Sequence, residues 1–413
     1  MRTYLPLALS ACLTALVAGP AAPARAQGSL DDVVRRYLAA RTDAEREALD
    51  RRLAAHDGLT AAAYRRAIER ARVFPDLKGE RRPIARTVDI GDGRKVEVFV
   101  QVPRSYDPRR KWPLLVAFMG PSTDGRASLA AWSRAYNEYV VAAPSLPADH
   151  PTYSGRPRYE TALRAFEALL EALSAEMRID HDRVFVAGHS HGGAIAWFCA
   201  AYLADRVAGA VPAAGHSTYT KEDLENLSGT ASIYAIHGAK DDAVPVAASR
   251  ESVSWLERFD CDHVYHEFDG GHEFPTARLP DILAWMGTKA RKPLPARIRH
   301  TTSSQWNTTG RVFWVEVVRP RPLDDIVDLT ATVDRAANRI DIRIDGAQEI
   351  ELGLNERLID PKREVTVLVD GAEAFRGQVP FRARAALDSF RARRDLDAIS
   401  PGAIRLEVGR PRR

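Results

Sequence analysis

The sequence predicts an α/β protein: a mostly parallel sheet with helices on both faces, preceded by a helical segment and followed by an antiparallel β-domain. Three observations carry that expectation. Between about residues 84 and 292, β-favouring apolar runs alternate with longer helical patterns, the rhythm of a parallel sheet covered by crossover helices. Within that region, Gly188-His189-Ser190-His191-Gly192 separates a strand-like run, Arg183 to Ala187, from a small, apolar, helix-like run, Gly193 to Leu203. From about Pro293 the pattern changes to short segments that alternate with period two.

The chain has 413 residues, enough for two domains and a substantial core. It opens with Arg2, an apolar run from Leu5 to Ala18, and Ala24-Arg25-Ala26 before Gln27. That arrangement reads as a secretory signal peptide, residues 1–26, cleaved after Ala26. Cys12 sits in a lipoprotein-like box, but apolar residues continue well past it, which favours ordinary cleavage. The expectation is an exported bacterial protein, periplasmic or extracellular, with no later segment long and apolar enough to span a bilayer. Residues 27–83 follow as a helical segment: Val33, Val34, Tyr37 and Leu38 fall at helix spacing, with Leu49, Leu53, Tyr64 and Ile68 beyond them. This segment could pack on the body of the protein or on a partner.

The next unit, residues 84–292, begins with two strands, the second from Lys95 to Val102. Pro113 to Phe118 is a further strand. Tyr159 to Ala175 is a helix whose Leu163, Phe166, Leu169, Leu170 and Leu173 form one core-facing stripe. Strands then recur at Ala208–Pro212, Ala231–Ile236 and His263–Phe268. The connection between the first two of these is too short for a lid, so the site should be open except where the loop Ser145–Pro157 overhangs it.

Residues 293–413 read as the β-rich domain, in the manner of a sandwich. Ile340, Ile342 and Ile344 alternate with charged residues, as do Ile350, Leu352 and Leu354 after Asp345-Gly346. Val365, Val367 and Val369 lead to Asp370-Gly371 and a return strand at Ala374-Phe375. Asp-Gly between alternating runs predicts hairpins. A closing helix is expected at about Phe381–Arg394. Trp306 and Trp314 could stack on a sugar ring, though core packing is the commoner use.

The chemistry concentrates on Ser190. A sharp turn between a strand and a helix lifts a serine oxygen clear of a sheet, and the flanking glycines keep Cβ atoms out of the crowded turn. A serine hydroxyl needs a base to take its proton, and the base needs an acid to orient it. Asp241, with Asp242 as the rival in the same turn, follows the strand Ala231–Ile236. His272 follows the strand His263–Phe268 in the glycine-bounded loop Gly270-Gly271-His272. The order Ser190, Asp241, His272, each at a strand end, makes a triad. His237, His263 and His266 read as structural imidazoles. His189 and His191 could suggest a metal pair, but no second cluster of His, Asp or Cys stands at ligand spacing, so neither a metal nor a cofactor is expected.

The segment Arg178-Ile179-Asp180-His181-Asp182-Arg183-Val184 leading into the turn, His237-Gly238 with Asp241, Val244 and Pro245, and the Gly270-Gly271-His272 loop together resemble the α/β-hydrolase superfamily. More narrowly they resemble its poly(hydroxybutyrate)-depolymerase, feruloyl-esterase and dienelactone-hydrolase-like branch. The resemblance covers roughly residues 84 to 290. It implies that the N–H of His191 donates to the oxyanion. A second donor usually follows the strand that corresponds to Pro113–Phe118, but here that strand ends in Met119-Gly120-Pro121, and proline has no N–H to give. Ser122 is therefore the expected second donor, and Met119, Tyr153 and His189 the expected substrate contacts, with Arg156 and Arg158 also in reach. Leu354 to Asp360 resembles a segment found after such domains in other exported bacterial proteins.

Of three cysteines, cleavage would leave Cys199 and Cys261, placed several strands apart and read as buried or free thiols. The formal net charge of +4 moves closer to neutral without Arg2 and Arg25, so no nucleic-acid or membrane-surface partner is implied. The functional expectation is an exported serine hydrolase acting on small-molecule or polymeric carboxylic esters. The rivals are a serine peptidase with the same triad and a non-catalytic polymer-binding or envelope scaffold. The oligomeric state has no sequence signal.

Overall fold

The computed structural model describes residues 28–80, 82–91, 93–120, 124–146, 156–215, 221–303, 310–321 and 326–409. The expected signal peptide, Ser122, Tyr153 and Trp306 fall outside them.

Eight strands build the large sheet: β1 Ile84–Asp89, β2 Lys95–Gln101, β3 Trp112–Met119, β4 Val140–Ser145, β5 Ile179–His189, β6 Gly209–Ala213, β7 Ser232–Gly238 and β8 His263–Phe268. They lie in the order β1-β2-β4-β3-β5-β6-β7-β8. β2 runs antiparallel to both β1 and β4, and every pair from β4 to β8 is parallel. Helices cover both faces, which is why the central strands are apolar at nearly every position. In β3, Leu114, Val116 and Phe118 enter one core with Leu163, Phe166 and Leu170 of the helix Arg156–Glu176. Leu115 and Ala117 enter the opposite core with Leu279, Ile282 and Met286 of the helix Leu279–Gly287. The helix Arg156–Glu176 begins three residues before the expected Tyr159, inside the expected loop Ser145–Pro157. Cys199 and Cys261 are free, and both are buried in one core.

The C-terminal strands are β9 Arg297–Ser303, β10 Arg311–Val312, β11 Val315–Pro320, β12 Ile326–Asp334, β13 Arg339–Asp345, β14 Ala347–Leu354, β15 Val365–Val369, β16 Ala372–Gly377 and β17 Gly402–Glu407. They form a five-stranded sheet, β16-β15-β13-β12-β9, and a four-stranded sheet, β10-β11-β14-β17. Ile340, Ile342 and Ile344 of the first share one core with Ile350, Leu352 and Leu354 of the second. This pairing corrects two expectations. The turn at Asp345-Gly346 closes no hairpin: β13 bonds to β12 and β15, β14 bonds to β11 and β17, and neither strand has an edge left for the other. Gly346, at φ +80°, instead carries the chain from one sheet to the facing one. The domain is also not wholly antiparallel, because β13 and β15 pair in parallel. The Asp370-Gly371 hairpin does form, joining β15 to β16. Trp314 is buried, its indole N–H bonded to the Pro295 carbonyl at 2.9 Å.

The N-terminal helices find their cover far along the chain. Val33, Val34 and Tyr37 of the helix Leu30–Ala39, and Tyr64, Ala67 and Ile68 of the helix Ala61–Ala71, pack with Ala386, Leu387 and Phe390 of the helix Ala383–Arg393. Buried ion pairs tie that C-terminal region to the large sheet. Arg291 reaches Asp395 at 2.6 Å and Asp182 at 3.0 Å, and Arg393 reaches Asp205 at 2.5 Å.

Candidate active site

The carboxyl ends of β5, β7 and β8 place three side chains together. β5 ends at His189, and the helix His191–Tyr202 begins immediately after Ser190, which sits at φ 57° and ψ −124°. A left-handed backbone at a residue with a side chain costs about 1–3 kcal/mol and persists only where the surroundings over-determine it. Here they do. The Ser190 N–H donates to the Ala213 carbonyl at 2.9 Å, and the Ser190 carbonyl accepts the Ala194 N–H at 3.1 Å.

The acid loop follows β7. Asp241 Oδ1 accepts the N–H groups of Ala243 at 2.9 Å and Val244 at 2.8 Å, which turns Oδ2 toward the base. His272 Nδ1 lies 2.7 Å from that oxygen, and His272 Nε2 lies 2.8 Å from Ser190 Oγ. Burial alone would push the Asp241 carboxyl up, but the Val244 N–H and His272 outweigh it and hold the group below its ordinary value. The acid therefore stays ionised beside the imidazole. Asp242 is exposed, and the carboxylate oxygen facing His272 belongs to Asp241. The acid and base loops are laced together by the Lys240 N–H to the Gly270 carbonyl and the Ala239 N–H to the Phe268 carbonyl, each 2.8 Å.

The remaining expected residues fall in different places. Met119, at the end of β3, stands opposite His189 in register, and both are half-buried at the sheet's carboxyl edge. The His189 ring lies 4.9 Å from the His272 ring and 6.0 Å from that of Phe274. Burial and the neighbouring His272 push the His189 imidazole down to about 4, so it is neutral at neutral pH. His191 diverges from His189, its ring packing 5.3 Å from Tyr159, so the two do not form a pair. The His191 N–H opens the helix after the turn, with its N-terminal partial charge beside Ser190. On the other side, Gly120 at φ +64° spends its N–H on the His189 carbonyl at 3.2 Å. Pro121 and Ser122 lie outside the described residues.

Two residues near the site have places that the sequence does not announce. Phe274, two residues past His272, stands between His189 and Trp132, whose ring it meets at 5.5 Å. His237, expected to be structural, touches the acid itself: Nε2 lies 3.2 Å from Asp241 Oδ2. Its position four residues before the acid is the one signal in the sequence that points there.

Residues 149–282 match the family model of the Dienelactone hydrolase family, a span that contains Ser190, Asp241 and His272. Solved structures similar to the chain include a thermostable esterase, at 23% identity over 51% of this chain and 63% of that one, with a TM-score of 0.43. Thermogutta terrifontis esterase 2, phosphorylated by paraoxon, is similar at 15% identity over 51% of this chain and 96% of its own, with a TM-score of 0.43. A ferulic acid esterase is similar at 14% identity, covering 50% and 97%, with a TM-score of 0.41. This chain thus spans less than two thirds of the thermostable esterase and about the whole of the other two. Its C-terminal sandwich and N-terminal helices lie outside the family match.

Proposed function

We propose that this hydrolase is an exported serine esterase that cleaves carboxylic esters through a covalent acyl-enzyme. The observation that carries the reading is the unbroken hydrogen-bonded series Asp241 Oδ2, His272 Nδ1, His272 Nε2, Ser190 Oγ, at 2.7 and 2.8 Å. As Ser190 Oγ attacks the ester carbonyl, its proton passes to His272 Nε2. The imidazolium formed is steadied by the ionised Asp241. The oxyanion is held by the His191 N–H at the helix start and by a second donor, for which Ser122 is the candidate. His272 then returns the proton to the leaving alcohol, and water, deprotonated by the same nitrogen, releases the acid. Met119, Tyr153 and His189 are the proposed substrate contacts. Residues 1–26 are proposed to direct export.

Ester is preferred over amide for a physical reason. An alcohol leaves more easily than an amine, and with Gly120 occupied and Pro121 lacking an N–H the oxyanion hole begins one backbone donor short. Losing one such donor costs about 2.7–4 kcal/mol in the transition state. The test is a panel of aryl and alkyl esters set against aminoacyl and prolyl amides. Turnover of acetate-to-butyrate or aryl-acyl esters orders of magnitude above amides supports the reading. Faster cleavage of amides would assign the triad to a peptidase, and no turnover of either would leave the scaffold reading.

A further inference from the structure

β8 ends the large sheet, and among the described residues only β7 pairs with it. The Ile233 N–H donates to the Asp262 carbonyl at 3.0 Å, and the Ala239 N–H donates to the Phe268 carbonyl at 2.8 Å. Main-chain groups alternate sides along a strand, so Val264 and His266 between them also face β7. Those of His263, Tyr265 and Glu267 point out of the sheet edge.

An open strand edge is a template for another strand, and proteins blunt such edges. Others in this molecule are blunted. Asn226 closes β9 by bonding both the Thr301 N–H, at 2.8 Å, and the Thr301 carbonyl, at 2.9 Å. β10 is two residues long, and β16 is irregular in register with β15 and carries an exposed Glu373–Arg376 ion pair. β8 has none of these devices. Its ladder to β7 is unbroken, it contains no proline, glycine or lysine, and Val264 stands 37% exposed on it. Its one carboxylate, Glu267, leans back onto the helix Val246–Arg258, where Arg250 donates to it at 2.6 and 2.8 Å.

We infer that β8 is an interface between two copies of this chain, paired antiparallel about a two-fold axis through Tyr265. The residues of the strand favour that occupant. The axis sets Tyr265 against itself and His263 of each copy against Glu267 of the other. All three present outward main chain, so each opposed pair exchanges both its hydrogen bonds. An axis on Val264 or His266 would instead oppose groups already bonded to β7. Opposite charges directly across a pair attract, and like charges repel. The hydrogen bond from Arg250 holds the Glu267 carboxyl below its ordinary value against the opposing effect of burial, so it is ionised. His263 Nδ1 lies 2.9 Å from the Cys261 carbonyl, which leaves Nε2 to face the carboxylate of the second copy. On the other face Val264 lies across from His266 and is covered. The pairing extends the sheet sideways, whereas Ser190, Asp241 and His272 stand at strand ends, so both sites stay open.

Light scattering on size-exclusion fractions of the purified full chain, over a concentration series, reads the state, and a dimer is expected. His263→Glu sets carboxylates against each other, and Val264→Lys puts a charge on the exposed edge. Each should raise the dimer dissociation constant on the order of ten-fold or more, while His263→Lys keeps the dimer. Circular dichroism checks that each variant is folded. Tyr265→Cys reads the register. Cα atoms of a hydrogen-bonded antiparallel pair lie about 5.5 Å apart, within reach of a disulfide, so mild oxidation should link two copies of Tyr265→Cys and leave the wild type unlinked. A monomer at every concentration overturns the inference. So does a dimer that His263→Glu and Val264→Lys leave intact, or one in which Tyr265→Cys does not cross-link. None of these readouts involves ester turnover, so they stand apart from the proposed chemistry.

Discussion

A Cβ placed on Gly188 would come within 2.0 Å of the Gly192 carbonyl oxygen, so these two glycines pack backbone against backbone around Ser190. Gly192 is equally confined: a Cβ there would meet the Phe118 carbonyl oxygen of β3 at 2.3 Å. The obstacles are main chain and cannot rotate aside. Gly188→Ala and Gly192→Ala should each cost at least ~1–3 kcal/mol, the usual range for overpacking, and abolish most turnover by displacing Ser190. Gly287→Ala, where nothing lies within 4 Å, should leave both melting temperature and turnover unchanged. Thermal melting with a parallel ester assay checks all three.

The acid assignment separates two neighbours. Asp241→Asn keeps the shape but takes the charge from the His272 pair, and should lower kcat by up to about four orders of magnitude, the loss known for a triad acid so altered. Asp242→Asn changes an exposed side chain and should be nearly silent. Steady-state kinetics on a small soluble ester settles the order. A reversed pattern would place the acid at Asp242.

Much of this is legible in the sequence because its signals are local. Each of Ser190, Asp241 and His272 lies just past a short apolar run, and in a parallel sheet adjacent strand ends converge by construction. The alternation of Ile340, Ile342 and Ile344 is equally plain, but alternation reports which face is buried and not which strand lies alongside. That is why Asp345-Gly346 reads as a hairpin although it crosses between facing sheets. The same limit hides the partner of the N-terminal helices: their stripe of Val33, Tyr37 and Ile68 says only that something covers it. Phe390, more than three hundred residues away, is a contact that no spacing encodes. Ile404 and Leu406 carry the period-two signal of β17, yet the stretch is short and follows a helix. His237 reads as structural because a histidine in a buried strand usually is.

The interlock of the two ends predicts where stability resides. Phe390 is fully buried among residues of the N-terminal helices, and Phe390→Ala should cost about 3–5 kcal/mol. Asp395→Ala should cost less than the ~3–5 kcal/mol of a fully stranded buried charge, because it removes the buried carboxylate of Arg291 but leaves Asp182 at 3.0 Å. Neither residue touches Ser190, His272 or Asp241, so kcat at a temperature where the variants are folded should stay near wild type. Denaturant titration gives the stability, and an assay on the same samples tests the separation.

Stability should also fall in acid, with a direction set by buried histidines. Burial pushes His181 down to about 3 and His300 down to about 4. In the unfolded chain both titrate near 6.5, so between that value and the folded ones the unfolded state binds more protons. Stability therefore falls as pH drops through that window. Asp205 and Asp395 act in the same sense at lower pH. Burial alone would raise them, but Arg393 beside Asp205 and Arg291 beside Asp395 hold both below their ordinary value, and that contribution is lost on protonation. Neither ring nitrogen of His300 has a hydrogen-bond partner among the described residues. His300→Phe should then melt no lower than wild type at neutral pH and lose less stability on acidification. A steeper acid loss in that variant would contradict the sign.

The proposed chemistry makes Ser190 a nucleophile activated by His272. A fluorophosphonate probe, read by peptide mass spectrometry on the folded protein, tests it most directly, because only an activated serine reacts. A single stoichiometric adduct is expected on the peptide carrying Ser190, absent in Ser190→Ala and severely slowed in His272→Ala. A wild-type protein that stays unmodified, or is modified equally well without His272, would contradict it.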